Sequence, residues 1–325
     1  MLSVKSTYII FSLVLLVALI VDLGLLSKKN KTITIKKALF QTLFWILLSL
    51  GFGAFLWIDR GGLVATKYVT AYLMEWSLSI DNIFVFILIF AFLRVKESDA
   101  GRALLIGILL AIIFRILFIA VGLEIIDRFH WIMYVFGFFL IYTGGKMFFQ
   151  NDDKEYDPSK SKIYILSRKF FRITDEDPNG KFVIRKNNKM YFTSLSVVVF
   201  MLGATDILFA LDSIPTVVSL VKHKAAEPFT VEDKLVIYSS NIFAVLGLRS
   251  LFFVLRGAVD TFAYLQQGIA IVLVFIGAKM LVEYFNIYIS IYTSLIVIIV
   301  CLGASMVYSV YRNKKKNETE FLDEI

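Results

Sequence analysis

The stretch that most constrains this chain is an apolar run from about Tyr68 to Leu93 that carries two acids, Glu75 and Asp81. A run of that length reads as a membrane-crossing helix. A carboxylate near the middle of such a helix costs roughly 2.5–3.5 kcal/mol on insertion scales, which a solvated or merely core-packing role does not explain. A second run, from about Phe192 to Val221, repeats the arrangement with Asp206 and Asp212. In each run the second acid lies six residues after the first and is followed by a small polar residue, Asn82 or Ser213. Six residues turn about 600° on a regular helix, so the two acids of one run point about 120° apart. Either the helix unwinds between them or they serve different neighbours. Pro215 lacks a backbone donor and predicts a kink or break near Asp212.

With 58% hydrophobic residues and a mean hydropathy of +0.77, the 325 residues hold more apolar surface than one soluble domain could bury. The composition therefore predicts an all-α, polytopic membrane protein with about nine transmembrane helices. The other spans are expected at about 8–26, 38–58, 103–122, 131–149, 235–255, 260–283 and 291–311. The first has no small-residue cleavage site and reads as an uncleaved helix. Residues 150–190 are polar and read as a solvated cytoplasmic loop, with a turn at 175–180 and a short hairpin over 181–192. The chain thus divides into two N-terminal helices (1–67), a three-helix unit (68–149), the polar loop (150–190), a second three-helix unit (191–284), and a ninth helix with a basic tail (285–325).

The formal charge of +8 does not call for nucleic acid, because helical membrane proteins gather Lys and Arg in their cytoplasmic loops. Lys28, Lys29, Lys31, Lys36 and Lys37, the 150–190 loop, and the tail at Arg312, Lys314, Lys315 and Lys316 share one side if the N-terminus is outside and the C-terminus inside. That orientation is the expected one.

The two three-helix units match in order. Asp81 and Asp212 are 131 residues apart, Phe114-Arg115-Ile116-Leu117-Phe118 and Leu248-Arg249-Ser250-Leu251-Phe252 are 134 apart, and Gly144-Gly145-Lys146-Met147 and Gly277-Ala278-Lys279-Met280 are 133 apart. Three spans per unit means that the second unit enters the membrane from the opposite side, an inverted-topology repeat of the kind many secondary transporters use. Such a repeat is expected to set Asp81 and Asp212 at similar depth near the midplane.

Cys301 is the only cysteine and His130 and His223 the only histidines, so a site built here depends on oxygen ligands. Carboxylate, amide and hydroxyl oxygens suit hard divalent cations such as Mg²⁺, Ca²⁺ and Mn²⁺. The candidate metal ligands are Asp81, Asp212, Glu75, Asp206, Asn82, Ser213 and Asn241, with Arg115 and Arg249 as ion-pair partners. Four acids against two arginines leave two negative charges, which one divalent cation would neutralise; buried acids can instead be protonated. Carboxylates that exchange a metal for protons would give antiport. The competing reading has the acids pairing structurally with Arg115 and Arg249. Lys146 and Lys279 are expected to snorkel at helix ends. No nucleophile–base constellation or phosphate loop points to an enzyme, and no cofactor is expected beyond the transported cation.

Four ordered motifs resemble those of the TerC family: Glu75 to Phe86, Thr205 to Pro215, Ser240 to Arg249, and Phe275 to Met280. The resemblance covers all nine expected helices. It implies a multi-pass protein of the bacterial inner membrane, named for tellurium resistance, linked to manganese efflux, including pH-responsive Alx-type members, and part of the lysine-exporter-like superfamily. It also implies Glu75, Asp81, Asp206 and Asp212 as the motif acids. Many members carry a Glu three residues before the first acid of the second motif, where this chain has Gly203. The expected function is export of a divalent cation, Mn²⁺ foremost, by alternating access around the paired carboxylates, with protons as a counter-ion. The alternatives are a non-transporting scaffold for a metal or tellurite stress response, which recruits partners through residues 150–190, and an exporter of another cation; a homo-oligomer is among the expected partners.

Overall fold

The computed structural model describes residues 3–26, 34–93, 95–129, 131–149, 164–165, 172–174, 180–186, 189–222, 227–256, 264–285 and 287–323. Its elements are α1 (Val4–Leu26), α2 (Ile35–Arg60), α3 (Gly62–Phe92), α4 (Glu97–Arg128), α5 (Ile132–Phe149), β1 (Val183–Lys186), β2 (Lys189–Phe192), α6 (Ser194–Val221), α7 (Val231–Leu255), α8 (Leu265–Val282), a single 3₁₀ turn (Glu283–Phe285) and α9 (Ile291–Asp323). Among the described residues, α2 to α9 are long and apolar enough to cross a membrane, and α1 contributes the shorter apolar stretch Ser6–Ile20. The chain is thus an all-α polytopic membrane protein.

Several helices run past the apolar windows because polar partners continue them. The α2–α3 junction falls at Gly61, whose φ of 89° suits a residue without Cβ. The α3 helix then starts at Gly62, ahead of the apolar run, and Lys67 within it donates to Asp233 Oδ1 at 2.9 Å. The start of α7 is fixed by a capping box, in which the Thr230 hydroxyl accepts from the Asp233 amide and the Asp233 carboxylate accepts from the Thr230 amide. The predicted hairpin forms as β1–β2, antiparallel, with Val183 opposite Phe192 and Lys186 opposite Lys189.

Pro215 does not break α6, which is helical from Ser194 to Val221. Pro215 leaves the Leu211 carbonyl without its helical donor, and the carbonyl that follows, that of Asp212, accepts from the Thr216 hydroxyl at 2.7 Å. Packing on both flanks holds the segment, since residues 213–221 are all buried.

The core is layered around α7, whose apolar window is 94% buried, against 22% for α5 and for α9. Phe11, Phe52, Tyr68 and Phe243 join α1, α2, α3 and α7 through ring contacts of 5.4–5.5 Å. The main helix contacts are α5 with α8, α3 with α7, and α4 with α6. Named contacts give their directions. Lys67 meets Asp233 and Glu75 meets Asn241, so α3 and α7 run parallel. Gly107 lies against Leu202, Gly203 against Leu110 and Gly122 against Ile214, so α4 and α6 run parallel. Gly137 faces Gly277 and Gly144 faces Ala270, so α5 and α8 are antiparallel.

Small residues set the α5–α8 distance, as they do between membrane helices generally, where close backbone approach replaces the hydrophobic drive. A Cβ on Gly144 would lie 2.6 Å from the Ala270 carbonyl oxygen, and one on Gly277 2.6 Å from that of Gly137, whereas one on Gly145 would meet nothing within 4 Å. Gly144→Ala should therefore lower the thermal midpoint of the purified protein, at a cost of about 1–3 kcal/mol. Gly145→Ala should hold or raise it, as a helical Gly→Ala exchange gains roughly 0.5–1 kcal/mol.

Candidate functional site

Arg115, in the interior of α4, is 2% exposed. Its guanidinium makes a two-point contact with Asp206 of α6, Nε to Oδ2 at 2.7 Å and Nη2 to Oδ1 at 2.8 Å. Its Nη1 donates to Glu75 Oε2 of α3 at 2.9 Å. The other oxygen of Glu75, Oε1, accepts from Asn241 Nδ2 of α7 at 2.7 Å. Four buried side chains from four helices thus form one network, with both carboxylates 1% exposed. Arginine suits this place because its planar fork matches a carboxylate with two parallel bonds and stays charged when desolvated. Two carboxylates against one guanidinium leave a formal negative charge at the centre.

This geometry answers the question posed by the six-residue spacing. Both α3 and α6 are continuous helices, and on α6 the two acids serve different neighbours: Asp206 turns to Arg115, while the Thr143 hydroxyl of α5 lies against the Asp212 carboxylate. On α3, Glu75 turns to Arg115 and Asn241; the Asp81 side chain lies outside the described residues.

The expected common depth of Asp81 and Asp212 is not what the structure shows. Glu75 and Asp206 share a level because one guanidinium holds both. Since α3 runs antiparallel to α4 and α4 runs parallel to α6, the six-residue step leads in opposite directions along the two acid-bearing helices. At 1.5 Å per residue Asp81 and Asp212 sit about 9 Å to either side of the arginine centre, roughly 18 Å apart along the bundle axis. Through the parallel register of α3 and α7, Arg249 comes level with residues 81–83. The site is therefore a column of three levels: Asp81, Asn82 and Arg249 towards one face, the Arg115 centre, and Asp212, Ser213 and Thr143 towards the other.

Asn82, Ser213 and Asn241 are all buried, at 4%, 2% and 2% exposure. Asp212 Oδ1, Ser213 Oγ and Asn241 Oδ1 are buried oxygens without a hydrogen-bond partner, and so is Ser79 Oγ. Buried polar atoms are normally paired, so these four are acceptors able to take a proton donor or a hard cation. Thr143 and Ser79 were not legible as site residues. Ser79 is one serine within an apolar run, and Thr143 is brought to Asp212 only by helix packing. Among the described residues, no three His, Cys, Asp or Glu side chains cluster closely enough to hold a metal by themselves. His130 and His223 lie outside the described residues.

Lys279 does not snorkel. Its ammonium, in α8, donates to the Ser219 carbonyl at 3.0 Å and the Ser294 hydroxyl at 3.3 Å. It satisfies a carbonyl in the last turn of α6, where a cation also meets the negative end of the helix dipole. Further ion pairs lie at the same end of the bundle: Lys67–Asp233 at 2.9 Å, Lys222–Asp127 at 3.5 Å and Arg60–Glu232 at 3.3 Å. Burial holds the Lys222 ammonium below the usual lysine range, with Asp127 acting against that shift. Gly203 packs on α4, where a Cβ would lie 2.8 Å from Leu110 Cδ2, so a longer side chain there would have to displace Leu110.

The family model described as "Integral membrane protein TerC family" matches residues 61–317. A membrane protein of Myxococcus xanthus, STKORF319, is 40% identical over 296 residues, 91% of this chain and 89% of its own length. A membrane protein of Rickettsia felis is 37% identical over 306 residues, 94% of this chain and 98% of its own length. A protein of Escherichia coli (strain K12), whose name gives it as a candidate membrane-bound redox modulator, Alx, is 36% identical over 281 residues, 84% of each chain. No solved structure matches the chain.

Removing one partner of a buried ion pair is costlier than removing the whole group, because it strands a charge. Arg115→Met should destabilise the protein by about 3–5 kcal/mol, read from unfolding of the purified protein in detergent. Adding Glu75→Gln and Asp206→Asn to Arg115→Met should recover much of that loss.

Proposed function

The chain belongs to the TerC family of integral membrane proteins, and on that footing we propose that it is a secondary transporter. Its cargo is a divalent metal cation, Mn²⁺ foremost, exported by alternating access, with protons as the counter-ion. The observation that carries this reading is the Arg115 centre, which ties α3 and α4 of one three-helix unit to α6 and α7 of the other while leaving Asp212 outside the ion pair. A purely structural network accounts for Glu75 and Asp206. It gives no reason for a second Asp in each run, one of them with a buried unpartnered oxygen.

The mechanism we infer uses an inverted repeat, and the helix contacts are consistent with one. Exchanging α3, α4 and α5 for α6, α7 and α8 carries the contact pairs α3–α7 and α4–α6 into each other and leaves α5–α8 in place. The exchange also holds at residue level. An offset of 133 takes Gly137 to Ala270 and Gly144 to Gly277, so the Gly144–Ala270 contact becomes the Gly137–Gly277 contact. Two such units can trade conformations and so expose the column to either side. Oxygen donors of carboxylate, amide and hydroxyl type favour Mn²⁺ and its hard relatives over soft metals.

We take the setting to be a bacterial inner membrane, as the family resemblance implies, and the distribution of Lys and Arg supports the N-terminus outside and the C-terminus inside. In that orientation the Lys67–Asp233 and Lys222–Asp127 pairs join the two units at the outer end, which fits a conformer closed to the outside. The redox role in the name of the Escherichia coli relative cannot rest on an internal disulfide here, because Cys301 is the sole cysteine. A redox effect of this chain would follow from the cation it moves.

The test uses cells that lack their own manganese exporter, loaded with MnCl₂. Wild type should lower intracellular manganese, and Asp81→Asn and Asp212→Asn should not. Equal manganese in all three at equal membrane abundance would sink the reading, leaving a scaffold or an exporter of another solute. A second expectation concerns the outer ion pairs. In a Cys301→Ser background, Lys67→Cys with Asp233→Cys should cross-link under oxidant and stop export, and reductant should restore it.

A further inference from the structure

An apolar concavity of about 260 Å³ opens beside the β1–β2 hairpin, and none of the residues of the acid column lines it. Its walls are Ile106 and Leu110 of α4, Val197 and Phe200 of α6, Phe182 just before β1 and Phe192 at the end of β2. The shape is built rather than incidental. The Ser196 hydroxyl donates to the Phe182 carbonyl, Thr193 Oγ1 donates to the Lys181 carbonyl at 2.7 Å, and the Thr193 amide donates to the Phe182 carbonyl at 3.0 Å. These bonds fold the strand ends over the start of α6 and hold the two phenylalanines as a roof. Arg102 of α4 stacks over the Phe182 ring at 5.7 Å and donates to the Gly180 carbonyl at 3.0 Å.

The location says what fills it. Ser196 to Phe200 occupy the first two turns of α6, a few ångströms inside the end of a membrane-crossing helix, where headgroups give way to acyl chains. An open apolar groove at that depth meets lipid, and water would cover it only at a cost. Two exposed cations stand at its edge, Arg102 over the Phe182 ring and Lys181 next to Phe182, and Arg185, Lys186 and Lys189 are exposed further along the hairpin. Cations clustered at the membrane surface beside an apolar recess are the complement of an anionic headgroup with its chain.

We propose that this groove is a binding site for one anionic phospholipid. An acyl chain lies between α4, α6 and the two phenylalanines, the headgroup phosphate lies against Arg102 and Lys181, and the remaining hairpin cations add to the attraction for an anionic surface. The hairpin then has a purpose that the cation column does not give it: it anchors the polar loop to the bilayer at the start of α6. The site is independent of the transport reading and stands or falls separately.

The full-length protein, purified in detergent, would be titrated with phosphatidylglycerol and with phosphatidylcholine of matched chains, and bound lipids counted by native mass spectrometry. Each surface cation contributes about a fivefold factor to attraction for an anionic lipid, so wild type should favour phosphatidylglycerol by fivefold or more. Replacing Lys181, Lys186 and Lys189 together by Gln should bring the two lipids level. Filling the groove with Val197→Phe and Ile106→Phe should cut phosphatidylglycerol binding several-fold, with an unchanged thermal midpoint showing that the fold survives. Equal binding of the two lipids by wild type would overturn the proposal. So would undiminished phosphatidylglycerol binding by the folded, groove-filled variant.

Discussion

A guanidinium in the middle of a membrane protein has to be held by carboxylates, and the bundle takes its arrangement from how Arg115 is held. Taking a charge out of water costs several kcal/mol per ion even after relaxation, and only close, multiply bonded geometry offsets it. Arg115 meets that condition with two bonds to Asp206 and one to Glu75, and Glu75 is completed by Asn241. None of the four residues could leave without stranding another. This mutual dependence fixes the rotation of α3, α4, α6 and α7 about their own axes, which apolar packing against lipid would leave loose.

Away from that centre the helices are positioned by size rather than charge. At Gly144 and Gly277 the backbones of α5 and α8 come so close that a single added carbon would overlap a carbonyl oxygen. Gly107 and Gly203 do the same between α4 and α6, with leucines from the opposite helix as the fitted part. Polar layers close the end of the bundle that carries Lys67, Lys222 and Lys279, and there each lysine has a named acceptor. The charged groups thus fall into two classes by depth: those at the end, near water and individually worth little, and those at the centre, where each is indispensable.

The column of acids acquires its meaning from helix direction. Because α3 and α6 cross in opposite senses, equal spacing in sequence becomes a stagger in space, with the arginine centre between Asp81 and Asp212. A cation passing from one Asp level to the other must pass the Arg115 centre, whose guanidinium and two carboxylates are locked in one another's bonds. In the transport reading this is a barrier against leakage, which only a rearrangement of the two units can lift.

Much of this was legible in the sequence. The membrane class, the helical spans and the hairpin over 181–192 all follow from apolar run length and from recurring local patterns, which depend on local composition and period. The partners were not legible. Arg115 was a candidate for any of four acids, and only the packing of α4 parallel to α6 gives it to Asp206 and Glu75. The common depth expected for Asp81 and Asp212 failed because spacing along a chain carries no direction until the helices are placed. The break expected at Pro215 failed because buried flanks hold the helix through the missing donor. Lys279 was expected at the membrane surface, but docking α8 against the last turn of α6 gave it a carbonyl to satisfy. What the sequence alone determines is which residues must be in the membrane and which of them cannot bear to be alone there; which partner each one finds is decided by tertiary structure, because a buried charge is satisfied across helices and not along one.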